Sequence, residues 1–226
     1  MSELNVLAVI PAYNPGPQLS SVVDGAIREL GREAVLVIDD GATDGAGDRA
    51  RAAGVQVITH RVNRGKGAAL RTGFEAALAR GADWIFTLDA DGQHDPAEMP
   101  KFLAAAAGGG AALYIGDRMQ DTTIMPWLRR LANQSTSAII SALAGQSISD
   151  SQSGYRLIGA QVLRAVDLRY DRFEAESEIL IKASRAGFKI GAVPIRTIYG
   201  QEQSTIHPVR DTLRFISLVV KLWPHS

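Results

Sequence analysis

Five short apolar runs, each followed by a segment of helical pattern, limit this chain more than any other feature. They are VLAVI (6–10), AVLVI (34–38), VQVIT (55–59), WIFTL (84–88) and ALYIG (112–116). Their hydrophobicity is continuous rather than alternating, as in strands covered on both faces of a parallel sheet. Helical periodicity fills the gaps at about 18–30, 44–53, 66–80 and 96–107. A βαβαβαβ order of this kind predicts a layered α/β domain with right-handed crossovers. Beyond residue 120 the pattern changes. Helices are expected at 126–144, 160–166 and 174–186, then a strand near 189–193 and a last helix from about 208 to 222. AAAAGGGAA (104–112) reads as a helix end and turn.

No Pro/Ser-rich linker or charge run divides the 226 residues. One domain is therefore expected over 1–207, with 208–226 as an amphipathic helix. Lys+Arg and Asp+Glu both total 24, a balance without the electrostatic footprint of nucleic-acid binding. Cysteine is absent, which excludes a disulfide scaffold and thiolate metal sites. MSELNVLAVIPAYN has no basic segment, long apolar segment or cleavage signal, so no signal peptide is expected. No run reaches the length of a spanning helix.

Three strand ends are polar: PAYN after the first run, DDGATD after the second, DADGQH after the fourth. Asp, Asn and Gly are ordinary turn residues, so any one of these segments alone reads equally well as turn chemistry. In an open α/β sheet, however, ligands collect beyond the carboxyl ends of strands, and three such ends on one edge point to a site. Asp89 and Asp91, two apart in extended backbone, point to the same side, and Gln93 continues the alternation. Oxygen donors with open positions suit Mg²⁺ or Mn²⁺, which keep water and also bind substrate phosphates. An EF-hand does not fit, because the glycine falls at the fourth position and no acid closes the loop. RGKGAAL (64–70) lacks the third glycine of a dinucleotide loop, and Lys66 is followed by Gly67 rather than the Ser or Thr of a P-loop.

VIPAYN, VIDDGATDG, NRGKGAALRTGF and LDADGQHDP, in this order and spacing over roughly the first 120 residues, resemble the signatures of family 2 glycosyltransferases with the GT-A fold. DSQSGYRL (150–157), residues 173–200 and HPVRDTLRF (207–215) extend the resemblance almost to the end. Within the family the look is nearest to dolichyl- or polyprenyl-phosphate sugar (mannose) synthases. The resemblance implies a mostly parallel GT-A sheet with a C-terminal helical portion on the acceptor side. It implies that Pro11, Ala12, Tyr13, Asn14, Asp39, Asp40, Lys66 and Asp89 hold a UDP- or GDP-sugar. Asp40 is also a plausible contact for a loop neighbour, and Lys66 taken alone reads as a solvated loop lysine. Asp89, Asp91 and Gln93 would bind the metal on the diphosphate, with Asp91 in the catalytic group.

A sugar hydroxyl needs a general base, whereas a lipid phosphate is already anionic and needs cations that place it. Arg118, Arg129, Arg130 and Arg156 are candidates for that work. Arg129 and Asn133 are four apart on one expected helix and share a face. In the look-alike synthases an arginine and a serine at this spacing hold the acceptor phosphate; Asn133 replaces that serine. Ser153 and Arg156 of DSQSGYRL complete the implied acceptor set. Glu178 matches a family glutamate near the site and joins Asp91, Arg118 and Arg129 as catalytic, while its neighbour Glu176 is expected on a wetter face. The Q-x-x-R-W motif of processive synthases is absent, which argues for a single transfer per encounter.

The expected terminal helix places Arg210, Arg214, Ser217 and Lys221 on one narrow face, with apolar residues over the rest and Trp223 at its end. That pattern fits a helix in a membrane interface, and equally a terminal helix packed on the core. The resulting expectation is an inverting, metal-dependent hexosyltransferase acting on a polyprenyl or dolichyl phosphate, cytoplasmic and peripheral at the inner membrane face. The alternatives are a family 2 enzyme acting on a saccharide or protein hydroxyl, a nucleotidyltransferase, and a binding module. The nucleotidyltransferase lacks its glycine-rich loop after the first strand, where PAYNPG stands.

Overall fold

The structure, a computed structural model, describes residues 4–119, 127–196, 198 and 208–223, without the side chains of 128, 129 and 208–213. The strands are β1 (Val6–Ala12), β2 (Val35–Asp39), β3 (Gln56–Thr59), β4 (Trp84–Thr87), β5 (Leu113–Asp117), β6 (Arg156–Gly159) and β7 (Ile190–Pro194). The helices are α1 (Gln18–Leu30), α2 (Ala46–Ala52), α3 (Lys66–Ala79), α4 (Met99–Ala107), α5 (Trp127–Ala144), α6 (Ala160–Ala165), α7 (Glu174–Arg185) and α8 (Pro208–Leu222). They form one seven-stranded sheet in the order β3-β2-β1-β4-β6-β5-β7. Every pairing is parallel except those of β6, which runs antiparallel to both β4 and β5.

The unbroken hydrophobicity of β1 and β2 arises from a core on each face of the sheet. Leu7, Val9, Leu36 and Ile38 point to one side, against Leu70 and Phe74 of α3. Ala8, Ile10, Val35 and Val37 point to the other, against Leu19, Val22 and Val23 of α1. Alternate residues thus feed two apolar layers, as the period of two demands. Helix α3 lies close on β1 because residue 73 is glycine: a Cβ there would stand 2.3 Å from Cγ1 of Val9. That approach fixes the direction of α3 and brings its first residue, Lys66, to the carboxyl edge of the sheet.

Helix α8 presents two apolar faces rather than one. Leu218 is fully buried, and Phe215, Val219 and Leu222 pack beside it on the core. Ile216, Val220 and Trp223, at i, i+4 and i+7, form a separate stripe that is at least half exposed. The buried face answers to the core-packed reading, and the second apolar face is exposed. Of its expected basic face, Arg214 lies 3.8 Å from Glu174 and Lys221 is exposed, while the side chain of Arg210 lies outside the described residues. Among the described residues no helix is long and apolar enough to cross a membrane.

Strand β6 is an addition to the strands expected. Its RLIG is four residues long, follows a Gly-containing turn and feeds directly into α6. Its neighbour relations, not its periodicity, make it a central strand.

Candidate active site

The strand order reverses at β1: β2 and β3 lie on one side, β4 and the rest on the other. A crevice opens beyond the carboxyl ends at such a point. Because β6 is antiparallel, its start lies on the same edge, with Arg156 paired to Thr87 at the end of β4 and to Ile115 in β5. The loop 150–154 before β6 therefore joins the PAYN, DDG and DADGQH segments on one edge.

On the β1–β2 side, Pro11 and Ala12 are buried in the strand end, and Tyr13 is half exposed. Asn14 has a φ of 49°, and its Oδ1 accepts the Thr43 amide at 2.7 Å, tying the loop after β1 to the loop after β2. Asp39 accepts the Ala42 amide at 2.9 Å. Asp40 turns away to a different task. It contacts Nδ1 of His60 at 2.6 Å and accepts the amides of Arg64 and Gly65 at 2.9 and 2.7 Å. Buried with these three contacts, Asp40 supports the loop that carries Lys66, as the loop-neighbour alternative expects.

Lys66 stands between two carboxylates. Its Nζ pairs with Asp89 and, at 3.0 Å, with Glu176. Burial would raise the Asp89 carboxyl, but the Lys66 ammonium more than reverses this and holds it at about 2. Burial would likewise lower the Lys66 ammonium, and the two carboxylates overcome it and hold it above the ordinary lysine value. Asp91 accepts the Gln93 amide at 2.9 Å, which tightens the turn after the motif. His94 is buried beside Tyr155, with ring centres 5.3 Å apart. Burial pushes its imidazolium down to about 4, so it is neutral at physiological pH.

Glu178 is a correction to the sequence reading. It is fully buried, accepts the amides of Arg169 and Tyr170 at 2.9 and 3.1 Å, and pairs with Lys182 at 2.7 Å. It holds the 167–170 segment, and Glu176 is the glutamate facing Lys66. Two residues on a helix differ by about 200° in direction, so only one of the pair can face the site. The sequence motif fits either, and the docking of α7 chooses between them.

The cation side is equally committed to internal partners. Arg118, at the end of β5, donates from Nε and Nη2 to Asp150 at 2.7 and 2.8 Å. Asn133 donates to the same carboxylate at 2.7 Å and accepts from Ser137 at 3.0 Å. Burial would raise the Asp150 carboxyl, but these hydrogen bonds and the Arg118 charge hold it below the usual carboxylate range. Arg156 donates to the carbonyls of Ser153, Glu176 and Ser151 at 2.9, 2.6 and 3.0 Å. Arg156 is buried and supports the loop, and Asn133 orients Asp150. The Ser153 hydroxyl is buried without a hydrogen-bond partner among the described residues. Arg130 is exposed, and the side chain of Arg129 lies outside the described residues.

Loop 150–154 links the two sides. Asp150 clamps Arg118, while Gly154 abuts Asp89: a Cβ at 154 would lie 2.6 Å from Oδ2 of Asp89. The Gly154 carbonyl also accepts from Thr87 at 2.7 Å. Four peptide steps span at most about 15 Å, so the Asp89 and Arg118 attachments are no farther apart along the loop. Sequence reasoning quoted Asp150 only within DSQSGYRL and set Glu176 aside. The signal for both was their place inside the quoted motifs, which gives no orientation.

The donors at Asp89, Asp91 and Gln93 are all oxygen, and the Asp89 carboxyl stays ionised at any neutral pH, so the set fits a hard divalent cation. Among the described residues no group of three or more His, Cys, Asp or Glu is placed to hold a metal ion.

Comparison with known proteins gives a consistent result. The chain is 34% identical over 206 residues to an undecaprenyl-phosphate mannosyltransferase of Micrococcus luteus, covering 85% of this chain and 83% of that one. It is 30% identical over 221 residues to a UDP-N-acetylglucosamine–dolichyl-phosphate N-acetylglucosaminyltransferase of Methanococcus voltae, covering 88% of each. The fold resembles glucosyl-3-phosphoglycerate synthase of Mycobacterium tuberculosis in complex with UDP, with a TM-score of 0.75 at 20% identity over 98% of this chain and 80% of that one. That likeness places the sheet among GT-A glycosyltransferase structures. The model of "Glycosyl transferase family 2" matches residues 7–165, which contain the β1, β2, β4 and loop 150–154 elements of the site, and the chain belongs to this family of glycosyltransferases.

Proposed function

We propose that this glycosyltransferase moves a hexose from a nucleotide sugar to a polyprenyl or dolichyl phosphate at a membrane surface, with inversion at the anomeric carbon. The catalytic domain is 1–207 and α8 is its membrane-facing appendage. The nucleotide lies against Pro11–Asn14 and Asp39. Asp89, Asp91 and Gln93 would hold Mg²⁺ or Mn²⁺, which would supply positive charge to the donor diphosphate. The acceptor phosphate enters from the side of Arg118 and Arg129 and attacks the sugar opposite the diphosphate.

One observation carries this reading: loop 150–154 couples Asp89 to Arg118, setting a carboxylate site for a metal–diphosphate beside a guanidinium. Two of the carboxylates nearby are poor bases: Asp150 is engaged by Arg118 and Asp89 by Lys66, and both are held below the ordinary range. General-base catalysis works best with a group that titrates near the working pH. A phosphate acceptor, already anionic, needs no such base. The names of the relatives, two of which act on undecaprenyl- and dolichyl-phosphates, support the same acceptor class. The exposed Ile216–Val220–Trp223 stripe with neighbouring Lys221 supports contact with a bilayer interface, and the reading adopted is a peripheral enzyme of the cytoplasmic face.

Purified protein with Mn²⁺ is expected to transfer radiolabelled sugar from UDP- or GDP-hexose to a polyprenyl phosphate. Arg129→Ala is expected to raise the acceptor KM at least ten-fold and the donor KM less than two-fold. Transfer to an unphosphorylated sugar or peptide hydroxyl, with none to polyprenyl phosphate, overturns the acceptor assignment.

A further inference from the structure

We infer that Lys66 is the resident counter-ion of the metal-ligating carboxylate Asp89, and that Glu176 is the positioning residue that receives the Lys66 ammonium when a divalent cation takes Asp89. The inference rests on the reading of Asp89 and Asp91 as metal ligands and adds a role for two residues beside them.

The geometry is a carboxylate–ammonium–carboxylate sandwich. Lys66 Nζ touches Asp89 on one side and Glu176, at 3.0 Å, on the other. The Lys66, Asp89 and Glu176 side chains are 17%, 26% and 14% exposed, so an ion from solvent can reach the group. A divalent cation at Asp89 would meet the ammonium at the same carboxylate, and like charges in contact repel. With Glu176 present, the ammonium keeps a carboxylate partner after releasing Asp89. Lys66 with Glu176 is then neutral, and the cation with Asp89 and Asp91 is neutral as well. Without Glu176 the ammonium would have Asp89 alone and would hold it against the metal.

The backbone around this switch is fixed, so only the lysine side chain has to move. Asp40 holds the amides of Arg64 and Gly65 just before Lys66. Gly67, just after it, lies flush on the Tyr170 carbonyl, which a Cβ would approach to 2.4 Å. Glu176 is anchored through its own carbonyl, which accepts Nη1 of Arg156 at 2.6 Å. The Phe173 ring, 5.9 Å from Nζ, offers the displaced ammonium an aromatic face on the Glu176 side. A donor diphosphate gives the ammonium a second anion to turn to, so nucleotide and metal assist one another's binding.

The test is Mn²⁺ binding to the full chain without turnover, read from the free-Mn²⁺ electron paramagnetic resonance signal, with and without UDP or GDP. Lys66→Met with Glu176→Gln removes one charge of each sign and leaves the net site charge unchanged. Direct competition predicts that this double variant binds Mn²⁺ alone at least ten-fold more tightly than the parent, and that nucleotide enhances its affinity less. Glu176→Gln alone keeps the side-chain volume and is expected to bind Mn²⁺ several-fold more weakly. Equal or weaker Mn²⁺ affinity in the double variant overturns the inference while nucleotide-dependent, Asp91-dependent binding leaves the metal reading intact. If the double variant does not fold, parental or tighter binding by Glu176→Gln overturns it instead. No Mn²⁺ binding by any of the proteins, with or without nucleotide, overturns the metal reading and this inference together.

Discussion

Arg118 and Asp150 form a two-point ion pair in the interior, with Nε to Oδ2 at 2.7 Å and Nη2 to Oδ1 at 2.8 Å. The pair connects the end of β5 to the loop before β6, and Asn133 of α5 completes it. Three elements distant in sequence therefore depend on one carboxylate. Neutralising it leaves a buried guanidinium uncompensated, which costs about 3–5 kcal/mol. Asp150→Asn is expected to lose stability of that order in urea denaturation at pH 7.

The pH dependence of that loss has a definite sign. The folded carboxyl of Asp150 lies below its unfolded value, against the effect of burial, because of Arg118 and Asn133. Its contribution is therefore fully present above the unfolded value of about 3.9 and is lost as pH falls through the lower folded value. The gap between the parent and Asp150→Asn is expected to be constant from pH 7 to 5 and to shrink at pH 3. A gap that stays constant at pH 3 contradicts the pairing.

Glu176 and Glu178 are expected to fail in different assays. Glu178→Gln weakens a buried carboxylate that accepts two amides and an ammonium, a loss of about 2–3 kcal/mol in unfolding, with nucleotide affinity of the folded protein within two-fold. Glu176→Gln is expected to change Mn²⁺ affinity while moving the melting temperature little. Chemical denaturation and calorimetry on both variants decide it; the opposite assignment restores Glu178 to the site.

Asp91→Asn is expected to abolish metal-dependent donor binding with an unchanged far-ultraviolet circular dichroism spectrum. Asp39→Ala is expected to raise the donor Kd about ten-fold, the effect of a charge-assisted hydrogen bond worth roughly 1.5–3 kcal/mol. Activity of Asp91→Asn in excess EDTA equal to the parent removes the metal from the reading, and an unchanged Kd in calorimetry removes Asp39.

The two faces of α8 separate membrane contact from folding. Ile216→Ser, Val220→Ser and Trp223→Ser together alter only exposed side chains and are expected to reduce binding to phosphatidylglycerol-containing vesicles with little change in melting temperature. Leu218→Ala, on the buried face, is expected to cost about 2–5 kcal/mol. Vesicle flotation unaffected by the triple variant contradicts the surface role. Deleting 212–226 is a poorer test, because it uncovers the core beneath Leu218.

Local physics made much of this protein legible in its sequence. The double-sided burial of β1 and β2 follows from runs without alternation, and the helices follow from their periodicity, so the α/β architecture is written in segments of ten to twenty residues. The polar ends PAYN, DDG and DADGQH are legible for the same reason, since each directly follows its strand. Strand β6 was not. Four residues hold too little periodicity to mark a strand, and its antiparallel place between β4 and β5 comes from pairing with segments more than forty residues away. That pairing is what brings loop 150–154 to Asp89 and Arg118. Orientation was likewise decided by tertiary packing: which of Glu176 and Glu178 faces Lys66, and which apolar face of α8 is covered. Neighbouring residues share one composition and one motif, but a helix or strand points them in different directions. Only the surface against which that element docks determines which of them meets the site.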